Sequence, residues 1–270
     1  MRSHLWRDLA ILLAFAVAIF LGGYWLIRNI DWNLTERFDL GLSVEQEKKL
    51  GDLMKETLWD NFEKLEDPTV DSAMQVITQR LLGVLDSSKY QYEFIVLAKD
   101  EINAFTIPGG NIYIFSGLLR ESESPEEVAA VLAHEIGHAE KRHVVQKLLK
   151  EFSLGALVAI LSGGDPGLLM DVLRQVIGTS FDREQESEAD DFALELLEKA
   201  AIDPKSLALF FDRLNKKDLS YNKNLELIMT HPHNDKRLAK SRGYLTKKDF
   251  TPVAIELDWA RVKQAVNSAL

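Results

Sequence analysis

His134-Glu135-Ile136-Gly137-His138 decides how this chain is read. On a helix, two histidines four residues apart share one face, and the carboxylate after the first stands beside them. That is the donor pattern of a zinc site with its own base. The flanking residues point to a helix independently. Ser124 can cap, Pro125 fits the first turn, and Glu127 completes a Ser-x-x-Glu capping box. No proline follows before Pro166, and Val128, Val131, Leu132 and Ile136 recur at helical spacing. One stripe is therefore expected to pack inward while the histidines face a cleft, on a helix running to about Lys150.

Two histidines do not complete a catalytic zinc site, which takes three protein ligands and leaves a fourth position to water. His143 is the nearest histidine, but five residues past His138 is about 140° further round a helix. It is expected to point away, as a solvated or capping side chain. Carboxylates crowd the stretch from Asp182 to Asp190, which continues as a helical pattern through Phe192, Leu194, Leu196 and Leu197. Spacing permits two pairs, Glu184 with Glu188 or Glu186 with Asp190, and the residues alone leave both open.

Tyr92 to Leu97, Glu101 to Ile107 and Ile112 to Phe115 read as strands, the last two joined by a Pro108-Gly109-Gly110-Asn111 turn. Helices are expected over Val44 to Leu65 and Asp71 to Leu85, split by Pro68 and capped by Ser43 and by Asp67 or Asp71. Others begin at Asp203-Pro204 and lie around Trp259 and Val262. The fold class is a mainly helical α+β domain with a small β-sheet beside the zinc-binding helix.

Four stretches, in order, then resemble the zinc metallopeptidases that include HtpX, BepA and the CAAX prenyl protease. They are Asn103-Ala104-Phe105 with Pro108 to Asn111 and Gly117-Leu118-Leu119; His134 to His138; Arg183 to Asp190; and Thr230-His231-Pro232 with Arg237. The likeness runs from about Leu42 to Leu245. It implies one Zn2+ per chain held by His134, His138 and Glu186, with Asp190 behind the ligands and Glu184 and Glu188 as flanking surface charges. It also implies that main-chain groups near Asn103 and Ala104 align an extended substrate by strand addition. Arg237 would anchor its loop or a site carboxylate. The family usually has serine where this chain has Asp182, which bears on local hydrogen bonding.

The expected chemistry is peptide hydrolysis. Zinc polarises the scissile carbonyl and activates water, Glu135 takes the water's proton and delivers it to the leaving amine, and Asp190 orients a ligand imidazole. His231, in a polar loop with Pro232, either stabilises the oxyanion or swings onto zinc in a resting state. A reading from another class is a membrane-tethered zinc-binding chaperone or adaptor that holds extended segments without cutting them; Glu135 argues against it, because holding needs no base. An intramembrane protease is disfavoured by Glu126, Glu127, Glu140, Lys141 and Arg142 on the zinc helix.

A net charge of −10 over 270 residues disfavours nucleic acid as a partner; polypeptide substrates are what the resemblance implies. The absence of cysteine removes thiolate ligands and disulfides. Leu9 to Ile27 carries no charge over a length that can cross a bilayer. Residues 1–30 are therefore expected to be a single-pass anchor rather than a cleaved signal, and 31–270 the catalytic domain. Arg2 and Arg7 before the run favour a cytoplasmic N-terminus with that domain on the extracytoplasmic side. Leu154 to Leu161 is too short to span and reads as a buried helix ending at glycine, or as a lid or contact surface. No appended helical repeat module is expected after the catalytic domain, and the sequence does not specify an oligomeric state.

Overall fold

The computed structural model describes residues 41–59, 61–164, 166–216, 227, 230–231, 235–247 and 249–270. The expected anchor, Leu9 to Ile27, lies outside them, as do Pro232, His233 and Asn234. No helix among the described residues is long and apolar enough to cross a membrane. Leu42–Leu270 forms one compact unit.

Helix α1 (Val44–Trp59) opens with a reciprocal cap, Gln46 N donating to Ser43 Oγ and Ser43 N to Gln46 Oε1. It stops short of the expected Leu65 because the chain there joins the sheet instead: Lys64 bridges to Leu97, and Leu65 N donates to Val96 O. α2 (Pro68–Leu82) starts at Pro68 rather than Asp71. Asp67 accepts from Thr69 N and Val70 N, so the proline occupies the one helical turn that needs no donor.

The sheet contains β1 (Glu93–Leu97), β2 (Ala104–Ile107) and β3 (Asn111–Phe115), in the order β1-β3-β2. β1 lies parallel to β3, pairing Glu93 with Asn111, and β2 antiparallel, pairing Ala104 with Ile114. The β2–β3 turn needs its glycines, since Gly109 and Gly110 adopt φ of +87° and +86°. Both sheet faces are buried. Val96, Ala104, Ile112 and Ile114 join one core cluster, while Ile95, Leu97, Phe105, Tyr113 and Phe115 join the other.

A short helix α3 (Ser116–Glu121) leads to the zinc-motif helix α4 (Pro125–Glu140). α5 (His143–Glu151), α6 (Leu154–Leu161) and α7 (Pro166–Gly178) follow. Next come α8 (Arg183–Lys199), α9 (Lys205–Lys216), α10 (Asp235–Arg242) and α11 (Trp259–Ala269). The result is a mainly helical domain with a small mixed sheet, helices α2, α4, α8, α9 and α11 lying on one side and α1, α5, α6 and α7 on the other. α6 buries Leu157, Ile160 and Leu161 and leaves Leu154 and Val158 exposed.

Two local expectations for the zinc helix are corrected. Ser124 sits at the cap position without a side-chain cap bond; the Glu127 carboxylate instead accepts from Glu123 N at 2.8 Å and pairs with Arg213. The helix also does not run to Lys150. Arg142 turns left-handed, at φ +58°, and α5 begins after it on a new axis. A non-glycine residue enters that region at some cost. Here it is held, for the Arg142 guanidinium reaches both the fully buried Glu47 carboxylate and Leu42 O.

Candidate metal centre

Helix α4 lies between β2 and α8, and from Glu127 to Ala139 every residue is buried. Gly137 explains how close α8 comes: a Cβ there would stand 2.9 Å from Ala189 O. A glycine inside a helix costs about 1 kcal/mol relative to alanine. In exchange, the backbones of α4 and α8 meet directly and carry their side chains to one point. Asp182 starts α8 at a defined residue. Its carboxylate accepts from Glu184 N and Gln185 N, and Gln185 completes a capping box. The aspartate that stands where the family usually has serine thus caps the helix itself.

That register buries Glu186 and Asp190 and turns Glu184 and Glu188 outward. Glu186, His134, His138 and His231 are all buried and offer ligand atoms within 4.8 Å of one another. His134 Nε2 lies 3.0 Å from His138 Nε2 and 3.2 Å from His231 Nδ1. Glu186 Oε1 is 2.9 Å from His231 Nδ1 and 3.5 Å from His138 Nε2. Four ligands about 2.0–2.1 Å from a central zinc would stand about 3.3–3.4 Å apart at tetrahedral corners. His134 presents its other nitrogen to a carboxylate, Nδ1 lying 3.0 Å from Asp190 Oδ1, and with its single proton there the neutral ring turns a lone pair on Nε2 toward the cluster. Donors that converge in this way can hold a cation in place of the protons between them, and an all-His/carboxylate set at this spacing fits zinc.

Around this cluster the carboxylates are tuned apart. Burial raises the pKa of Glu135, against the opposing charges of His231 and His134. Thr106 Oγ1 lies 2.9 Å from Glu135 Oε2 and 3.0 Å from Glu135 O, and Glu135 Oε1 is 3.4 Å from His231 Nε2. Burial would also raise Glu186, but the charge of His231 and hydrogen bonds from the three histidines hold it well below the usual carboxylate range. Asp190 is likewise held low against burial, by Arg237 and His134. Arg237 is a two-sided clamp. Nε and Nη2 grip Asp190 at 2.6 and 2.7 Å, and Nη1 lies 2.5 Å from Glu186 Oε2.

The remaining expected residues are placed as follows. Asn103 and Ala104 are fully buried at the start of β2, an outer strand of the sheet, and Asn103 O accepts from Phe115 N. Leu227 N donates to Ile102 O and His231 N to Leu227 O, so the stretch carrying His231 docks just ahead of that strand. His143 is corrected. Rather than solvated, it is fully buried, with Nδ1 3.0 Å from His138 Nδ1 and Nε2 3.1 Å from Glu188 Oε2. The left-handed turn at Arg142 brings it back toward the site. Glu188, expected as a flanking charge only, is therefore also a hydrogen-bond partner. Sequence reasoning missed Thr106 and Phe181, whose ring stacks on His138 at 4.0 Å. Thr106 was findable, since on a strand it shares a face with Ala104, two residues before. Phe181 had no such signal.

Helix, sheet and converging donors define a protein of the His-Glu-x-x-His metal-binding class. Residues 68–244 match the family model described as peptidase family M48, and the chain belongs to that family. It is 28% identical over 240 residues to the beta-barrel assembly-enhancing protease of Yersinia pestis, covering 83% of this chain and 49% of that protein. It is 26% identical over 248 residues to the mitochondrial metalloendopeptidase OMA1 of Schizosaccharomyces pombe, covering 88% and 73%. The OMA1 of Arabidopsis thaliana is 33% identical over 168 residues, 62% of this chain and 33% of that protein. The chain spans about half the length of the beta-barrel assembly-enhancing proteases it matches.

Proposed function

We propose that this protein is a membrane-anchored zinc-dependent metalloendopeptidase whose ligands are His134, His138 and Glu186. The observation that carries this reading is Glu135: fully buried, on the same helix as two of the donors, and not itself a donor. A holding protein has no use for a carboxylate at that point. Bound zinc would supply Lewis acidity toward the scissile carbonyl and lower the pKa of water. Glu135 accepts the proton of the attacking water and returns it to the leaving amine. Its upward shift on burial brings its basicity toward that of the proton it must handle. Thr106 holds its Oε2, which leaves Oε1 directed at the donor cluster. Asp190 fixes the tautomer of His134 so that Nε2 faces the metal. Main-chain groups near Asn103 and Ala104 would align an extended polypeptide by strand addition once the packing that buries both residues opens.

Beside those three ligands His231 offers a further donor atom, where the attacking water would have to stand if zinc were bound. This supports the resting-state role over oxyanion stabilisation: His231 must withdraw before a peptide enters. The run Leu9 to Ile27 would tether the domain on the extracytoplasmic side of a membrane, and relatives named as a beta-barrel assembly-enhancing protease and a mitochondrial metalloendopeptidase fit misfolded or exported proteins as substrates. The test is digestion of unfolded casein by the full chain, with and without a chelator, beside the Glu135→Gln and His231→Ala proteins, with zinc assayed on each. Chelator-sensitive cleavage that Glu135→Gln abolishes while retaining one zinc is the expected result, with faster cleavage by His231→Ala. Cleavage by zinc-loaded Glu135→Gln would overturn the role of Glu135, and slower cleavage by His231→Ala would restore the oxyanion role.

A further inference from the structure

His134 has a carboxylate behind it; His138 has another histidine. We propose that His143, backed by Glu188, is the positioning residue that fixes the tautomer and ring plane of His138 for metal binding, an inference that rests on the zinc-site reading above.

The bonding leaves one consistent proton arrangement. For Nε2 of His138 to present a lone pair to the metal, its proton must sit on Nδ1. That nitrogen is 3.0 Å from His143 Nδ1, so His143 accepts there. His143 must then carry its own proton on Nε2, which is 3.1 Å from Glu188 Oε2, and the carboxylate accepts it. Each link has one donor and one acceptor. A carboxylate thus ends both chains: Asp190 acts directly on His134, and Glu188 acts on His138 through the extra imidazole.

The backbone is shaped for this contact. On an uninterrupted helix, His143 would lie about 140° away from His138. The left-handed Arg142 swings it back, and the buried Glu47 holds Arg142 in place. The two rings meet nearly edge to face, with centroids 5.0 Å apart and planes at 72°. Phe181 stacks on a face of the His138 ring, with centroids 4.0 Å apart. Phe181 limits the tilt of the ring but has no atom that can choose its tautomer. Among the described residues it is His143 that does so.

The decisive measurement is zinc affinity of the full chain by competition with a chromophoric chelator, taken with the melting temperature of the metal-free protein. His143→Leu keeps an apolar filling but removes the acceptor. His143→Gln restores an acceptor for His138 and a donor for Glu188. Expected are a 10- to 100-fold loss of zinc affinity in His143→Leu, the scale on which partners behind metal ligands act, largely regained in His143→Gln, with metal-free melting temperatures close to wild type. Glu188→Ala, on the exposed side of α8, is expected to weaken zinc binding by a smaller factor. Wild-type affinity in His143→Leu would overturn the proposal. So would equal losses in the Leu and Gln variants, which would mean a packing role, and unchanged affinity in Glu188→Ala would remove Glu188 from it. Casein cleavage by the same samples, with His231→Ala beside them, separates this from the functional reading: tight zinc binding with no cleavage by either wild type or His231→Ala sinks the peptidase and leaves the positioning test standing.

Discussion

Arg237→Met removes the only guanidinium between Glu186 and Asp190 among the described residues, and its cost can be worked out from their surroundings. Both carboxylates are at most 1% exposed, and Arg237 itself is 5% exposed, so water cannot replace the lost partner. Breaking a buried pair from one side costs about 3–5 kcal/mol, because the remaining charge is left uncompensated. Two carboxylates are stranded here, which puts the metal-free protein at the upper end. For a domain of this size, 1 kcal/mol moves the melting temperature by about 2–4 °C, so a fall of roughly 10–20 °C is expected. Without Arg237, Asp190 binds a proton more readily and holds His134 less well, so zinc affinity should drop about 10- to 100-fold. Calorimetry of chelated and zinc-loaded protein, with chelator competition, measures both. Arg237→Lys keeps the charge without the planar fork and should fall between the two. A fall of less than about 3 °C in the metal-free Met variant, together with unchanged zinc affinity, would refute the clamp.

Gly137→Ala should destabilise by about 1–3 kcal/mol despite alanine's better helix propensity, because the new methyl meets Ala189 O and pushes α8 from α4. Zinc affinity should fall with it, since Glu186 and Asp190 ride on α8; a stabilised variant with normal zinc binding would show that the two helices have room to spare. Lys147, packed over the Phe181 ring, is pushed down to about 8 by burial. A lysine with a lowered folded pKa contributes stability above its unfolded value near 10.5 and loses it as pH falls through about 8. Lys147→Met should therefore gain most over wild type below pH 8, with the gap in melting temperature narrowing toward pH 10.5, and a gap that does not change with pH would contradict the burial argument.

The sequence by itself determined the local parts. Pro125 and the apolar spacing of Val128, Val131 and Leu132 specify the zinc-motif helix, and its period brings His134 and His138 to one face. Glycines at 109 and 110 mark the hairpin because few other residues tolerate positive φ. Asp67 and Asp182 mark helix starts because their carboxylates satisfy free amides. These are short-range effects, complete within a few residues. Which carboxylate pair faces the histidines was not local, since Glu184 with Glu188 and Glu186 with Asp190 have the same spacing. Tertiary packing decided it, through the close approach of α8 at Gly137. The place of His143 was equally hidden, because it depends on a left-handed Arg142 that no turn residue signals and that a buried Glu47, 95 residues earlier, holds in place. Thr106 and His231 reach Glu135 from 29 residues before it and 96 after it. Helical and strand periods fix which side chains share a face; only the packed core, by choosing which faces meet, determines which of them converge on one point.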